Sequence, residues 1–311
     1  PSRAILGLVT ESGWEIVEDL NNHKMTSGGN FCTRWIARSK EGKETFLKAL
    51  DFSRAMGDPR HLQLLVNEYM FERDILDHCK SLNMTKIVTP LDAGVLEVPN
   101  FTPPANVVYY IIFEKAEEDL RERYLNDLNH GSWVNAFRTL HHVSIGASQL
   151  QKAQIAHQDI KPSNILCFQS ESKISDLGRV TDANGKSPFS GLKYTGDPTY
   201  EPIEGSFNAH GLEFVDRYHS DIYMVGSLAY QIVTGVQMSA KISEESKLIN
   251  PHILQLSYFD ALPILTSAFS TVLTDFYEGC LDRFGLKIAG DLKGIVYEMC
   301  HPDIDRKRTR L

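Results

Sequence analysis

The sequence predicts an α+β fold with a small, β-rich N-terminal part and a larger, mostly helical C-terminal part. Residues 45–52 and 107–113 are rich in β-branched and aromatic side chains, as buried strands are. Further along, residues 133–155 have helical periodicity, and residues 221–233 are apolar nearly all round, which indicates a buried helix. The change in pattern near residue 115 predicts two lobes, with residues 114–119 as the connector and a ligand cleft between them.

One helix is predicted inside the β-rich part. Residues 61–80 contain neither Gly nor Pro, and apolar side chains recur there at helical spacing. These side chains are Leu62, Leu65, Tyr69 and Leu76. The N-terminal lobe is therefore expected to combine several strands with a single helix.

Composition excludes several classes of protein. The 311 residues are 42% hydrophobic and 23% charged, which is ordinary for a soluble globular chain. The net charge of −8 disfavours nucleic-acid binding, and no apolar run approaches the about 20 residues of a membrane span. The five cysteines are scattered without a CxxC pair, which predicts reduced thiols in a cytoplasmic protein.

The most informative segment is residues 157–164, which read His-Gln-Asp-Ile-Lys-Pro-Ser-Asn. It resembles the HRDxKxxN catalytic loop of eukaryotic-type (Hanks-type) protein kinases. The resemblance implies that Asp159 orients the proton of the acceptor hydroxyl, that Lys161 stabilises the transferring phosphoryl group, and that Asn164 holds a magnesium ion. Lys161 at this place resembles the serine/threonine branch of the family.

Three further motifs follow in the order of that family. Asp176-Leu-Gly lies 12 residues after Asn164 and resembles DFG, so Asp176 is implied as the second magnesium ligand. Residues 196–204 (GDPTYEPIE) resemble GTPxYxAPE. Asp221 and Gly226 match a DxWSxG element, whose Asp holds the catalytic loop in the family. A HxDxxxxN pattern also occurs in aminoglycoside and choline kinases, but those enzymes lack the last two elements.

The nucleotide-binding residues are implied by the same resemblance. Residues 46–49 (FLKA) resemble the VAIK strand, so Lys48 is expected to contact the α and β phosphates of ATP. Its ion-pair partner is assigned to Glu72, because Leu76 supplies the inward-packing residue four positions later. Glu68, one turn earlier, is the alternative.

The remaining nucleotide contacts are assigned around the connector and the first loop. Backbone groups of Glu114 and Ala116 are expected to meet the adenine, Asp119 the ribose, and Leu166 the floor of the pocket. Residues 27–34 (SGGNFCTR) resemble the glycine-rich loop GxGxFGxV, in which Gly29 is a firm match.

The sequence departs from the family pattern near the nucleotide. Ser27 and Cys32 replace glycines of the loop, and Arg34 replaces the valine that covers adenine. Phe46 stands where the family has a small Ala against the base. These changes favour an alternative hypothesis, a pseudokinase that acts as a binding or scaffolding module.

Two departures concern the activation segment. Gln158 replaces the Arg of HRD, which in the family pairs with a phosphate, so activity independent of such phosphorylation is expected. Asp197 replaces a Thr, and its carboxylate is expected to reach Lys161. The segment also offers six candidate phosphorylation sites: Thr181, Ser187, Ser190, Tyr194, Thr195 and Thr199.

Taken together, residues 1–311 are identified as a single protein kinase domain of the two-lobed fold, with the N-lobe at about 1–114, the hinge at about 114–119 and the C-lobe at about 120–311. The expected activity is transfer of the γ-phosphate of ATP, with Mg²⁺, to Ser or Thr hydroxyls of a protein substrate. Besides the pseudokinase, a phosphotransferase acting on a small molecule is the other alternative.

Overall fold

The protein is described by a computed structural model that covers residues 1–21, 32–52, 55, 57–103, 106–127 and 133–306. The chain divides into two compact units. The first comprises Pro1–Glu118 together with Ser175–Gly178, and the second comprises Asp119–Ile174 together with Arg179–Leu311.

The first unit contains an antiparallel sheet and one long helix. The elements are β1 (Glu15–Asp19), β2 (Cys32–Arg38), β3 (Glu44–Leu50), α1 (Pro59–Ser81), β4 (Pro90–Glu97) and β5 (Val107–Glu114). The five strands form one sheet in the order β1-β2-β3-β5-β4. Both strands predicted in this part and its helix are therefore confirmed, within two residues at each end.

The side chains of β3 alternate between the hydrophobic core of the first unit and the opposite face of the sheet. Leu47 and Ala49 are fully buried and belong to the main hydrophobic cluster, which also includes Trp35 of β2. Phe46 and Lys48, which alternate with them, are only half-buried. Since successive side chains of a strand point to opposite faces, Phe46 and Lys48 share the face that lies away from this cluster.

Helix α1 begins and packs as its sequence indicates. The carboxylate of Asp58 accepts hydrogen bonds from the backbone N–H groups of Arg60 and His61, and Pro59 occupies the first helical turn. Among the residues of its buried side are Tyr69 and Glu72. The Tyr69 hydroxyl donates to the Tyr110 carbonyl of β5 at 2.8 Å, which attaches the helix to the sheet.

The second unit is mostly helical. Its helices are α2 (Leu120–Asp127), α3 (Trp133–Lys152), α4 (Phe214–Thr234), α5 (Met238–Ile249), α6 (Tyr258–Phe284) and α7 (Leu286–Cys300). Its short strands are β7 (Ile155–Ala156), β8 (Ile165–Cys167), β9 (Ser172–Ile174) and β10 (Thr181–Asp182), and β6 (Glu118–Asp119) begins at the boundary between the units. Strand β7 pairs with β10, and β8 pairs with β9, both antiparallel.

Helix α4 is the centre of the second unit. Nearly every residue from 217 to 233 is buried, as its apolar sequence predicts. Gly226 lies against α7, and a Cβ atom placed there would be 2.6 Å from the Cβ of Met299. A glycine is therefore needed at this position for α4 and α7 to approach so closely.

No helix within the described residues is both long enough and apolar enough to cross a membrane.

Candidate active site

The loop of residues 157–164 follows β7 and is held by a buried carboxylate from α4. The Asp221 side chain accepts hydrogen bonds from the backbone N–H of His157 at 2.7 Å and of Gln158 at 2.6 Å. Burial raises the pKa of Asp221 to about 6, against the opposing effects of the His157 charge and of the two backbone hydrogen bonds. Gln158 has a positive φ of 60°, a conformation that is uncommon outside glycine and that tends to cluster at functional sites.

The Asp159 carboxylate lies at the centre of this loop with three donors around it. Its Oδ1 accepts from the backbone N–H of Asp197 at 2.8 Å. Its Oδ2 accepts from the Asn164 amide at 2.8 Å and lies 3.1 Å from the Lys161 ammonium. The three residues predicted from the catalytic-loop pattern are therefore brought into one hydrogen-bonded cluster.

Lys161 is shared by two carboxylates. Besides Asp159, its Nζ donates to Asp197 Oδ2 at 3.2 Å, so the contact expected for Asp197 is present. Burial alone would lower the pKa of Lys161, but the charges and hydrogen bonds of Asp159 and Asp197 outweigh it and raise the pKa. Burial would likewise raise the pKa of Asp197, but hydrogen bonds from Thr199 and the charge of Lys161 lower it.

A second charged cluster lies in the first unit around Lys48. Its Nζ lies 2.7 Å and 2.9 Å from the two carboxylate oxygens of Glu72, and 3.6 Å from Asp176 Oδ1. Burial acts to lower the pKa of Lys48, but nearby negative groups, with Glu72 first, outweigh it and raise the pKa. The partner of Lys48 is therefore Glu72 rather than Glu68. A Cβ atom at Gly178 would lie 3.3 Å from the Glu72 carboxylate, so only a small residue fits beside this pair.

The face of the sheet that carries Lys48 also carries the unusual residues. Arg34 of β2 is directly opposite Lys48 in the strand register, and Cys32 is opposite Leu50. Directly opposed residues project to the same side of a sheet, so Arg34, Phe46 and Lys48 share one face. Burial raises the pKa of the Cys32 thiol to about 11.

The residues predicted near adenine and ribose are spread over several elements. Glu114 is the exposed last residue of β5, Ala116 lies between β5 and β6, and Leu166 is half-buried in β8. The Asp119 carboxylate accepts from the backbone N–H of Glu122 at 3.0 Å and from Arg121 at 2.9 Å, which ties it to the start of α2. Gly29 lies outside the described residues. The nucleotide contacts of all five residues stay predictions.

One group of contacts was not anticipated from the sequence. The side-chain oxygen of Gln158 accepts from the Thr181 hydroxyl at 2.9 Å and from the Arg217 guanidinium at 3.3 Å. Arg217 precedes Asp221 by four residues, so both lie on the same side of α4. A buried arginine is unusual, and the only signal in the sequence was an arginine one helical turn before the Asp of the DxWSxG element.

The comparisons with known proteins show the family of the chain. Residues 24–285, well over half of the chain, match the family model described as protein kinase domain. The chain therefore belongs to the protein kinase family, and the predicted two-lobed α+β kinase fold is confirmed.

Three curated relatives are similar to parts of the chain. One is the serine/threonine-protein kinase par-4 of Caenorhabditis elegans, 30% identical over 96 residues, which are 29% of this chain and 15% of that protein. Another is the serine/threonine-protein kinase SBK1 of Danio rerio, 32% identical over 103 residues, which are 32% of this chain and 26% of that protein. A titin homolog of C. elegans is 29% identical over 136 residues, which are 42% of this chain and 1% of that protein. The matched region thus spans only a minor part of each relative.

Proposed function

We propose that this chain is a serine/threonine protein kinase that transfers the γ-phosphate of ATP to hydroxyl groups of a protein substrate in the cytoplasm. The observation that carries the proposal is the support of Asp159, whose carboxylate is bonded by Asn164, Lys161 and the backbone of Asp197. A carboxylate fixed in this way can orient an acceptor hydroxyl and take up its proton. Two of the relatives bear the name serine/threonine-protein kinase, which supports the choice of acceptor.

The residues present fit a magnesium nucleotide. Asp176 has a half-exposed carboxylate and a positive φ of 62°, and hard carboxylate oxygens are the ligands that Mg²⁺ prefers. Lys48 is a cation fixed by Glu72, which suits it to phosphate oxygens. We assign Asp176 and Asn164 as the magnesium ligands and Lys48 as the phosphate contact. When bound, magnesium would neutralise phosphate charge that develops during transfer.

The chain's own groups then have separate tasks in the proposed reaction. Asp159 positions the acceptor hydroxyl and receives its proton, while Lys161 offers positive charge to the group being transferred. Asp197 also contacts the Lys161 ammonium and helps to fix its position. Glu72 keeps the Lys48 ammonium in a single position, which lowers the cost of orienting it when the nucleotide binds.

The test is phosphate incorporation, measured by mass spectrometry. Wild type, Asp159→Ala and the control Asp303→Ala are incubated with ATP, Mg²⁺ and a generic basic protein, or with small hydroxyl compounds instead of the protein. We expect phosphate on Ser or Thr with wild type and the control, and none with Asp159→Ala. Equal incorporation by Asp159→Ala would exclude the role of Asp159, and transfer to small molecules alone would exclude a protein substrate.

A pseudokinase is the second candidate, and Phe46 and Arg34 favour it. Both lie on the same sheet face as Lys48, where a large ring and a second cation can obstruct the base. The discriminating measurement is the shift in melting temperature with millimolar ATP, with and without Mg²⁺, because a ligand that binds the native state stabilises it. No shift in wild type, together with a shift in Phe46→Ala, would favour the pseudokinase.

A further inference from the structure

Arg217 of α4 is a buried arginine whose guanidinium contacts three uncharged oxygens. It is 4% exposed. It donates to the carbonyl of Ser190 at 2.6 Å, to the carbonyl of Leu212 at 3.1 Å and to the side-chain oxygen of Gln158 at 3.3 Å. Burial lowers the pKa of Arg217, against the opposing charge of Asp216. A cation placed on uncharged acceptors in this way acts mainly as a rigid fork of donors.

Gln158 connects Arg217 to the loop of residues 157–164. Its side-chain oxygen receives both the Arg217 guanidinium and the Thr181 hydroxyl, whereas its buried side-chain nitrogen has no acceptor among the described residues. The opposite orientation of the amide would point its N–H groups at the Arg217 guanidinium, which can only donate, so Arg217 determines the orientation. Gln158 immediately precedes Asp159, and its own backbone N–H is bound by Asp221.

The activation segment, residues 179–201, contacts the same loop through its backbone and is also hydrogen-bonded within itself. The Ser187 hydroxyl donates to the Val180 carbonyl at 2.8 Å. A Cβ atom at Gly196 would lie 1.9 Å from the carbonyl oxygen of Gln158, so the backbone there rests directly on the loop. The next residue, Asp197, donates its N–H to Asp159. Thr181, Ser187 and Thr195 are buried, so three of the six candidate phosphorylation sites are inaccessible in this conformation.

We propose that Arg217 is a positioning residue that holds Gln158 and the activation segment, and thereby orients Asp159 without a phosphate on that segment. The inference rests on the proposed kinase activity and adds its mode of regulation. The Arg of the family pattern pairs with a phosphate, whereas Gln158 is neutral and its side-chain oxygen is bonded to Thr181 and Arg217. The cation is thus supplied by a helix outside the loop, and two of its three acceptors are backbone carbonyls, which need no modification to be present.

The test compares Arg217→Gln, Arg217→Lys and the control Arg283→Gln, because Arg283 also donates to a carbonyl, that of Val233, but has no contact with the activation segment. We expect Arg217→Gln to lower kcat by roughly 10- to 100-fold, the ordinary effect of removing a group that orients a site residue through another. KM for ATP should be unchanged, since the predicted phosphate contact belongs to the other unit. Arg217→Lys should retain more of the wild-type kcat than Arg217→Gln, because lysine keeps the positive charge but lacks the planar set of donors of a guanidinium.

Hydrogen exchange provides a readout that does not depend on activity. Amides of residues 181–197 should exchange faster in Arg217→Gln than in wild type or Arg283→Gln, and phosphatase treatment of wild type should leave kcat unchanged. Wild-type exchange and kcat in a folded Arg217→Gln, or loss of activity on phosphatase treatment, would overturn the proposal. If Arg217→Gln does not fold, Arg217→Lys carries the same comparison. If wild type transfers no phosphate, the proposed function fails, and the exchange measurement still decides whether Arg217 holds the segment.

Discussion

At the scale of single residues, the candidate site contains carboxylates that are held by hydrogen bonds from the protein itself. Asp159 accepts from two side chains and one backbone N–H, and Asp221 accepts from two backbone N–H groups. Such contacts restrict each carboxylate to one orientation, which is what positioning a reacting hydroxyl requires. The two residues differ in burial, since Asp221 is 3% exposed while Asp159 is accessible enough to meet an acceptor.

Burial of Asp221 predicts a particular dependence of stability on pH. Its pKa is raised from the usual value near 4 to about 6, so the native state binds this proton more tightly than the unfolded state does. Stability from Asp221 is therefore full below pH about 4 and is lost as the pH rises through about 6. The shift corresponds to about 3 kcal/mol in the free energy of unfolding.

The measurement is urea unfolding of wild type and Asp221→Asn between pH 4 and 8, with the variant cancelling the effects of other carboxylates. The free energy of unfolding of wild type, relative to the variant, should fall as the pH rises. A relative stability that increases with pH would mean that the two backbone hydrogen bonds outweigh burial and that the direction assigned to the pKa is wrong.

At the scale of elements, Lys48 and Glu72 meet because β3 and α1 each direct one of the two side chains toward the other. Lys48 lies on the face of β3 that alternates with the buried Leu47 and Ala49. Glu72 lies on the buried side of α1, three residues after Tyr69, which binds the sheet. Residues three or four apart share one side of a helix, so Tyr69 and Glu72 are directed together toward the sheet.

Replacing Glu72 by Gln should impair catalysis through Lys48. We expect Glu72→Gln to lower kcat/KM for ATP by about 30-fold, equivalent to about 2 kcal/mol for a lost hydrogen bond between charged groups. Glu68→Gln is the matched control on the same helix and should change kcat/KM by much less. Equal losses in the two variants would show that α1 as a whole, rather than its ion pair with Lys48, determines the rate.

The close contact between α4 and α7 depends on one glycine, Gly226, which has no side chain. Gly226→Ala would place a Cβ atom within 2.7 Å of both Met299 and Cys300. Overpacking of this kind typically costs about 1–3 kcal/mol. The control is Gly279→Ala in α6, where an added Cβ meets nothing within 4 Å and alanine should stabilise the helix by up to about 1 kcal/mol. Thermal unfolding of both variants tests this, and a Gly226→Ala protein as stable as wild type would contradict it.

At the scale of the whole molecule, each unit contains part of the proposed machinery, and Asp176 is the magnesium ligand proposed in the first unit. We expect Asp176→Ala to abolish the part of the ATP-induced rise in melting temperature that requires Mg²⁺, because a carboxylate ligand is lost. Asp74→Ala, an exposed carboxylate on α1, is the control and should retain the full rise. Wild-type magnesium dependence in Asp176→Ala would remove this residue from the metal site.

Much of the fold follows from local patterns in the chain. A richness in β-branched and aromatic residues located β3 and β5, and a period of about 3.6 residues located α1 and α3. Both signals are local, because they depend on the backbone geometry of a few neighbouring residues. The assignment of Asp159, Lys161 and Asn164 to one cluster also came from spacing within a single short loop. For such features, the chain itself limits where neighbouring side chains can lie.

The sequence by itself determined the fold class, the family and the chemical types at the candidate site. Only the tertiary structure decided that Glu72 rather than Glu68 pairs with Lys48, and that Gln158 is bonded to Arg217. The second pair is 59 residues apart in the chain. Contacts between distant residues depend on how helices and strands pack and on the directions of side chains, and no local period encodes either.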